Sequence, residues 1–269
     1  MKIAELIDSF EQWANPTWQE KWDNCGWQVD PGISEQSAGV LVCLTPTLAV
    51  MKEAIALQKQ GRPVNLIFAH HPLIFGGISS VTPDRSIGDM IRQSIAHNIG
   101  IYTAHTNFDQ VQNGTADVLA QLLSLQDTKP IEATAPKDPS RGYGRVGHLP
   151  NPQPLKTLLE NIQSLLKPNK LLFSPTADLQ QPITKVAVLG GSGASYLSAA
   201  SQTGAQVYLT ADCKFHQFQE ARDKDIVLVD AGHYATERPA CDRLVNWFKE
   251  QGAAWAQLSE QDEDFRQFL

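Results

Sequence analysis

The stretch Val64-Asn65-Leu66-Ile67-Phe68-Ala69-His70-His71-Pro72 decides the fold of this chain. A continuous apolar run of strand length that halts at two histidines and a proline describes a buried strand delivering polar side chains at its carboxyl end. The pattern recurs on both sides. Gly39-Val40-Leu41-Val42-Cys43-Leu44 reads as a second buried strand. Between the two, Thr47 to Gln60 has helical periodicity, and Gly61 is placed to end that helix. Downstream, Ser86 to His97 predicts a helix and Ile99-Gly100-Ile101-Tyr102-Thr103-Ala104 a short strand, which ends at His105-Thr106-Asn107-Phe108-Asp109. Asn113 to Leu125 is again helical in pattern. Apolar strands alternating with amphipathic helices indicate an α/β layered fold with mainly parallel strands, and open parallel sheets carry ligand sites at the carboxyl ends of their strands.

Toward the amino terminus, Ile3, Leu6, Ile7 and Phe10 recur with the spacing of an amphipathic helix and lack the unbroken apolar run of a signal peptide. Trp18 to Val29 is aromatic and turn-rich; the tryptophans of this region (Trp13, Trp18, Trp22, Trp27) read as core and interface residues rather than as a base-stacking platform. From Asp127 to Pro154 prolines accumulate, which marks the crossing into a second lobe. The expected division is a first lobe of about 1–128 plus 225–269 and a second of about 129–224. The second lobe has a helix around Leu155 to Leu166, a strand at Lys185 to Gly190 and a helix from Ala194 to Thr203. Strands follow at Ala205 to Thr210 and Ile226 to Asp230, the latter running into Ala231-Gly232-His233 before a helix over Thr236 to Glu250.

Apolar residues make up 42% of the 269 and charged residues 19%, enough for a packed core. The formal net charge of -7 argues against a partner that is nucleic acid or an anionic membrane, since both require a basic footprint. No stretch is long and apolar enough to cross a membrane. Cys25, Cys43, Cys213 and Cys241 form no C-x-x-C pair and read as thiols of a reducing compartment, so a cytoplasmic location is expected.

Four of the seven histidines (His70, His71, His105 and His233) follow apolar strands. Two carboxylates lie at a common offset, Asp109 four residues after His105 and Glu237 four after His233. If the last helix extends back one turn, His233 and Glu237 share a face and can address one ion. Imidazole nitrogen with carboxylate oxygen and no sulfur suits zinc, iron, manganese or nickel. The competing reading is that Asp109 and Glu237 simply cap or decorate helix starts. Gly190-Gly191-Ser192-Gly193 sits between a strand and a helix but matches neither a dinucleotide fingerprint nor a P-loop, and reads as a tight turn. Asp212-Cys213-Lys214-Phe215-His216 is either a pocket lining or a hydrogen-bonded corner.

Several blocks together resemble the Nif-three-like family, whose bacterial members are often called GTP cyclohydrolase 1 type 2 homologues. They are Trp22-Asp23-Asn24-Cys25-Gly26-Trp27-Gln28-Val29, Ala69-His70-His71-Pro72, His105-Thr106-Asn107-Phe108-Asp109, Gly144-Arg145-Val146-Gly147, Thr210-Ala211-Asp212 and Gly232-His233-Tyr234-Ala235-Thr236-Glu237. The resemblance implies a three-layer α/β/α fold of two interlocked lobes with mostly parallel sheets, in the short form without an inserted middle domain. It implies two divalent metal ions per chain, with His71 and Asp109 on one, His70 and His233 on the other and Glu237 bridging. His105 falls at a position near the metals and is a pocket candidate. Where relatives commonly have an acidic residue after the first strand, this chain has Thr45. The resemblance further implies a toroidal homohexamer. The function it suggests is a metal-dependent hydrolase that uses a metal-bound water on a small-molecule substrate of nucleotide type; the alternative is a non-enzymatic metal-binding hexameric regulator or scaffold protein.

Overall fold

The computed structural model describes residues 1–175 and 178–269. Its chain divides into two compact units, one of residues 1–108 and 241–263, the other of 109–240 and 264–269. The sequence places the lobe boundary at about residue 128, but helix Thr115–Leu122 and strand Gln126–Lys129 both belong to the second unit. The reason is apolar: Leu119, Ala120 and Leu123 pack into the same core as Leu155, Leu158, Ile162, Val186 and Val207.

The first unit is built on a five-stranded sheet ordered Gly26–Val29, Gly100–Thr103, Leu66–Ala69, Gly39–Cys43, Trp255–Leu258. Gly39–Cys43, Leu66–Ala69 and Gly100–Thr103 pair in parallel and every residue in them is buried, which explains why they read as unbroken apolar runs rather than alternating ones. Helix Leu48–Lys59 is capped by the Thr47 side chain, which accepts from the Val50 amide. Helix Ser86–His97 ends at Asn98 in the left-handed conformation. Helix Ile3–Trp13 buries Ile3, Leu6, Ile7 and Phe10. Phe10 meets Phe68 edge-on at 4.9 Å and Trp247 at 5.5 Å; of the tryptophans read as core and interface residues, Trp13 is half-buried and stacked on Trp247, Trp18 and Trp27 are half-buried, and Trp22 is exposed. Two strands of this sheet escaped the sequence pattern. Gly26–Val29 lies antiparallel on Gly100–Thr103 within the stretch read as turn-rich, and Trp255–Leu258 lies parallel to Gly39–Cys43.

The second unit holds a six-stranded sheet ordered Gln126–Lys129, Arg145–Pro154, Pro182–Val188, Val207–Thr210, Val227–Asp230, Leu172–Phe173. Parallel pairing is confined here to Pro182–Val188, Val207–Thr210 and Val227–Asp230. The other pairings are antiparallel. Strand Arg145–Pro154 lies in the proline-rich stretch read as a crossing. Its prolines are tolerated because the register with Pro182–Val188 slips between Ile183 and Lys185, opposite Gln153 and His148. Helix Leu155–Leu166 covers this sheet with Leu155, Leu158, Leu159, Ile162 and Leu166.

Arg145 is buried at the head of its strand with all five N–H donors engaged. Its Nε and Nη2 bond the Asp117 carboxylate at 2.6 and 3.1 Å, and the carbonyls of Gly142, Gly144 and Val111 take the remainder at 2.7–3.1 Å. The Gly144-Arg145-Val146-Gly147 block therefore carries structure, not ligand chemistry. Arg145→Ala strands the Asp117 carboxylate in the interior and should cost about 3–5 kcal/mol in urea unfolding, with Asp117→Asn in the same chain recovering part of the loss.

Candidate metal centre

In the first unit, three adjacent parallel strands deliver polar side chains at their carboxyl ends: Thr45 beyond Gly39–Cys43, His70 and His71 beyond Leu66–Ala69, and His105 beyond Gly100–Thr103. His70, His71 and His105 converge, with ligand atoms that all lie within 4.8 Å of one another. His70 is buried and the other two half-buried. Each ring is held through Nδ1. His70 Nδ1 lies 2.8 Å from the Ala104 carbonyl, which only accepts, so the proton sits on Nδ1 and Nε2 keeps its lone pair. His105 Nδ1 lies 2.9 Å from Asp23 Oδ1, and His71 Nδ1 2.8 Å from the Thr45 hydroxyl. Such outer partners orient a metal-binding imidazole and raise its basicity.

Asp23 is itself well supplied. Thr106 donates to it from both amide and hydroxyl, at 3.1 and 2.6 Å, and the Asn24 amide at 2.8 Å. Burial would raise its pKa, but the His105 hydrogen bond and charge, with Thr106 and Asn24, hold the carboxyl well below the usual range. It is a permanent acceptor for His105.

The second unit repeats the arrangement with different side chains. Gly190 and Gly191 follow Pro182–Val188, Asp212 follows Val207–Thr210, and His233 follows Val227–Asp230. The final helix, His233–Glu250, starts a full turn before Thr236, so His233 and Glu237 do share a face, with Nε2 and Oε2 3.0 Å apart. His233 Nδ1 meets Asp212 Oδ2 at 2.6 Å, and Arg266 holds the other Asp212 oxygen at 3.0 Å. Asp230 ties the two loops together, accepting from the Cys213 and Gly232 amides at 2.8 and 2.9 Å. The Asp212 block thus resolves as a hydrogen-bonded corner whose acid orients a histidine, while His216 is exposed.

Gly191 has φ +64°, and a β-carbon there would collide with Glu237 Oε1. Its amide donates to Thr236 Oγ1 at 3.0 Å. The glycine turn accordingly serves the close approach of backbone to a nearly buried carboxylate. Asp109 closes the short helix Thr106–Asp109 and accepts from the Thr115 hydroxyl.

Of the five expected ligands, His70 and His71 converge with His105 in the first unit and His233 pairs with Glu237 in the second, while Asp109 meets the Thr115 hydroxyl and joins neither group. His105, the pocket candidate, is brought beside His70 and His71. Thr45, Asp23 and Asp212 are the orienting residues that sequence reading did not assign; a carboxylate or hydroxyl two residues beyond a neighbouring parallel strand is the signal that could have found two of them.

The Duf34/NIF3 (NGG1p interacting factor 3) family model matches residues 1–262. This chain belongs to that family. It is 63% identical over 269 residues to a GTP cyclohydrolase 1 type 2 homolog of Nostoc sp., covering 100% of this chain and 99% of the relative. A protein of the same description from Clostridium acetobutylicum is 30% identical over 89% of this chain and 87% of its own. Among solved structures, a hypothetical protein of Staphylococcus aureus superposes with TM-score 0.87 at 27% identity, covering 100% and 99% of the two chains. Reduced HcgD from Methanocaldococcus jannaschii superposes with TM-score 0.79 at 28% identity over 97% and 98%. The Duf34/NIF3 fold of the chain is thereby shown.

Two outcomes test this centre. Asp212→Asn keeps the shape of the acceptor but removes its charge, and should weaken divalent-metal binding measured by competition with a chelating dye by about 10–100-fold. In the metal-free chain, burial alone would lower the His233 pKa, but Asp212 and Glu237 raise it from 6.5 to about 10. A raised histidine pKa stabilises the fold fully below pH 6.5, and that stability is lost as pH rises through about 10. Chelator-treated wild type should therefore lose Tm across this interval, and His233→Gln should show a flatter profile.

Proposed function

We propose that this chain is a dinuclear metal-dependent hydrolase acting on a nucleotide-type small molecule. The observation that supports it best is the preparation of the histidines: Nδ1 of His70, His105 and His233 is held by an acceptor, which orients each ring with Nε2 directed away from that anchor, toward Glu237 in the case of His233. Nitrogen and carboxylate donors without sulfur fit a divalent zinc, iron, manganese or nickel ion. On the pattern of the family, His71 and Asp109 would hold one ion and His70 and His233 the other, with Glu237 serving both. Bound ions would supply Lewis acidity, lowering the pKa of water and stabilising negative charge on a reacting group.

The chain's own residues do the positioning. Asp23 and Asp212 keep His105 and His233 in one tautomer and one orientation. Gly190 and Gly191 leave room for the Glu237 carboxylate. His105 has a nitrogen beyond its Asp23 bond with which to meet substrate or metal. The description shared by the relatives points to a guanine nucleotide as the substrate to try first. A homohexamer is part of the same proposal; exposed Leu172 and Phe173, on a short strand at the edge of the second unit's sheet, supply apolar surface suited to self-association. No described helix is long and apolar enough to cross a membrane, and we place the protein in the cytoplasm.

Elemental analysis of gently purified protein should find about two ions per chain, lost in Glu237→Ala, and the loaded protein should hydrolyse GTP with His70→Ala and Glu237→Ala both inactive. Folded wild type that stays metal-free after reconstitution would overturn the proposal. Full metal occupancy with no turnover on any nucleotide would overturn its enzymatic half and leave a metal-binding regulator or scaffold.

A further inference from the structure

Trp22 and Phe75 are large aromatic side chains left 58% and 63% exposed, and their rings touch, with centroids 5.9 Å apart and planes at 57°. Isolated exposed aromatics are ordinary; a contacting pair beside a donor cluster is not. The Trp22 ring also lies 5.9 Å from that of His105, edge to face at 76°, and His105 in turn lies 5.2 Å from His70 and 5.6 Å from His71. The aromatic surface and the histidine nitrogens therefore form one continuous patch within the first unit.

The pair is held in place by the segment that holds His105. Asp23 takes the His105 Nδ1 proton, while the next residue, Asn24, donates to the Ile74 carbonyl at 2.8 Å. Gln28 accepts from the Ile74 amide at 3.0 Å and from Asn24 Nδ2 at 3.2 Å. Ile74 is thus fixed through both its backbone groups, immediately before Phe75. Trp22, Asp23 and Asn24 consecutively supply a ring, an anchor for His105 and an anchor for the other ring. Because the two planes are inclined at 57°, a flat π-system stacks on one ring and meets the other at its edge, and it loses little ordering entropy because the rings are already placed.

We propose that Trp22 and Phe75 form a stacking site for the planar heteroaromatic ring of a purine nucleoside, whose polar edge then reaches His105. The occupant follows from the geometry: two rings offer area for one fused ring system, and the His105 imidazole beside Trp22 supplies a hydrogen-bond partner for its heteroatoms. This site gives the hydrolase reading above its specificity determinant and rests on that reading for the reaction, but not for the binding.

Calorimetry on the metal-loaded full chain tests it, with guanosine and adenosine as probes and inorganic tripolyphosphate as a ring-free control. Both nucleosides should bind the wild type. Trp22→Ala and Phe75→Ala should each weaken nucleoside binding by about tenfold or more, and Trp22→Phe, which keeps a stacking face, by no more than about threefold. Metal content and tripolyphosphate binding should stay unchanged in all three variants. Nucleoside binding that is absent from metal-replete wild type, or that is indifferent to both alanine substitutions, overturns the stacking site. Ring-dependent binding without turnover removes the hydrolase reading and keeps the site. Turnover of GTP with a KM unmoved by Trp22→Ala does the reverse.

Discussion

An imidazole can bind a metal only through a nitrogen that carries no proton, and in this protein the choice of nitrogen is made by the fold. The Ala104 carbonyl, Asp23 and Asp212 each accept a hydrogen bond from Nδ1 of a histidine, which turns Nε2 away from the anchor. Thr45 occupies the same place on His71 with a hydroxyl, which can donate as well as accept and so binds without imposing charge. Much of the surrounding sequence exists to keep these acceptors still. Thr106 and Asn24 saturate Asp23, Arg266 neutralises the far oxygen of Asp212, and Asp230 pins the loops on which Asp212 and His233 stand.

The two units reach this state by one rule. Each has three neighbouring parallel strands whose carboxyl ends release polar residues together. They differ in what is released: three histidines and a threonine in the first, a glycine turn, an aspartate and a histidine–glutamate pair in the second. Parallel pairing sets this, since it brings residues at equal distances past their strands to one edge. The antiparallel strands of the second sheet, Arg145–Pro154 among them, contribute support in the form of the buried Arg145–Asp117 pair.

The parallel core was legible because burial on both faces leaves an unmistakable run of apolar residues, and helices Ser86–His97 and Leu155–Leu166 emerged at the limits their periodicity gave. Strands that are short, half-exposed or interrupted by proline left no such trace. Gln126–Lys129 is exposed throughout, and Arg145–Pro154 carries three prolines that a regular ladder would not admit. In the candidate site, the histidines and Glu237 were readable from spacing after strands. Asp23 and Asp212 were not, because an aspartate in a polar segment resembles any turn residue until its partner, far away in sequence, is seen. The Gly190–Gly193 turn was read correctly as a turn, but its purpose depends on Glu237, which spacing could not connect to it. Trp22 departs from the reading it shares with Trp13, Trp18 and Trp27, core and interface rather than a stacking platform, because the pattern says nothing about which ring of an aromatic cluster faces outward.

The strand Trp255–Leu258 lies beside Gly39–Cys43, so a strand made early in synthesis waits for a neighbour near the end of the chain. Until then the Gly39–Cys43 edge presents unpaired backbone along a wholly apolar segment, a template for the wrong partner. The main-chain bond from the Ala254 amide to the Ala38 carbonyl at 2.8 Å closes together with that pairing. A chain interrupted before Trp255 would hold a sticky, incomplete sheet, and the nascent polypeptide should therefore lean on chaperones until that strand emerges.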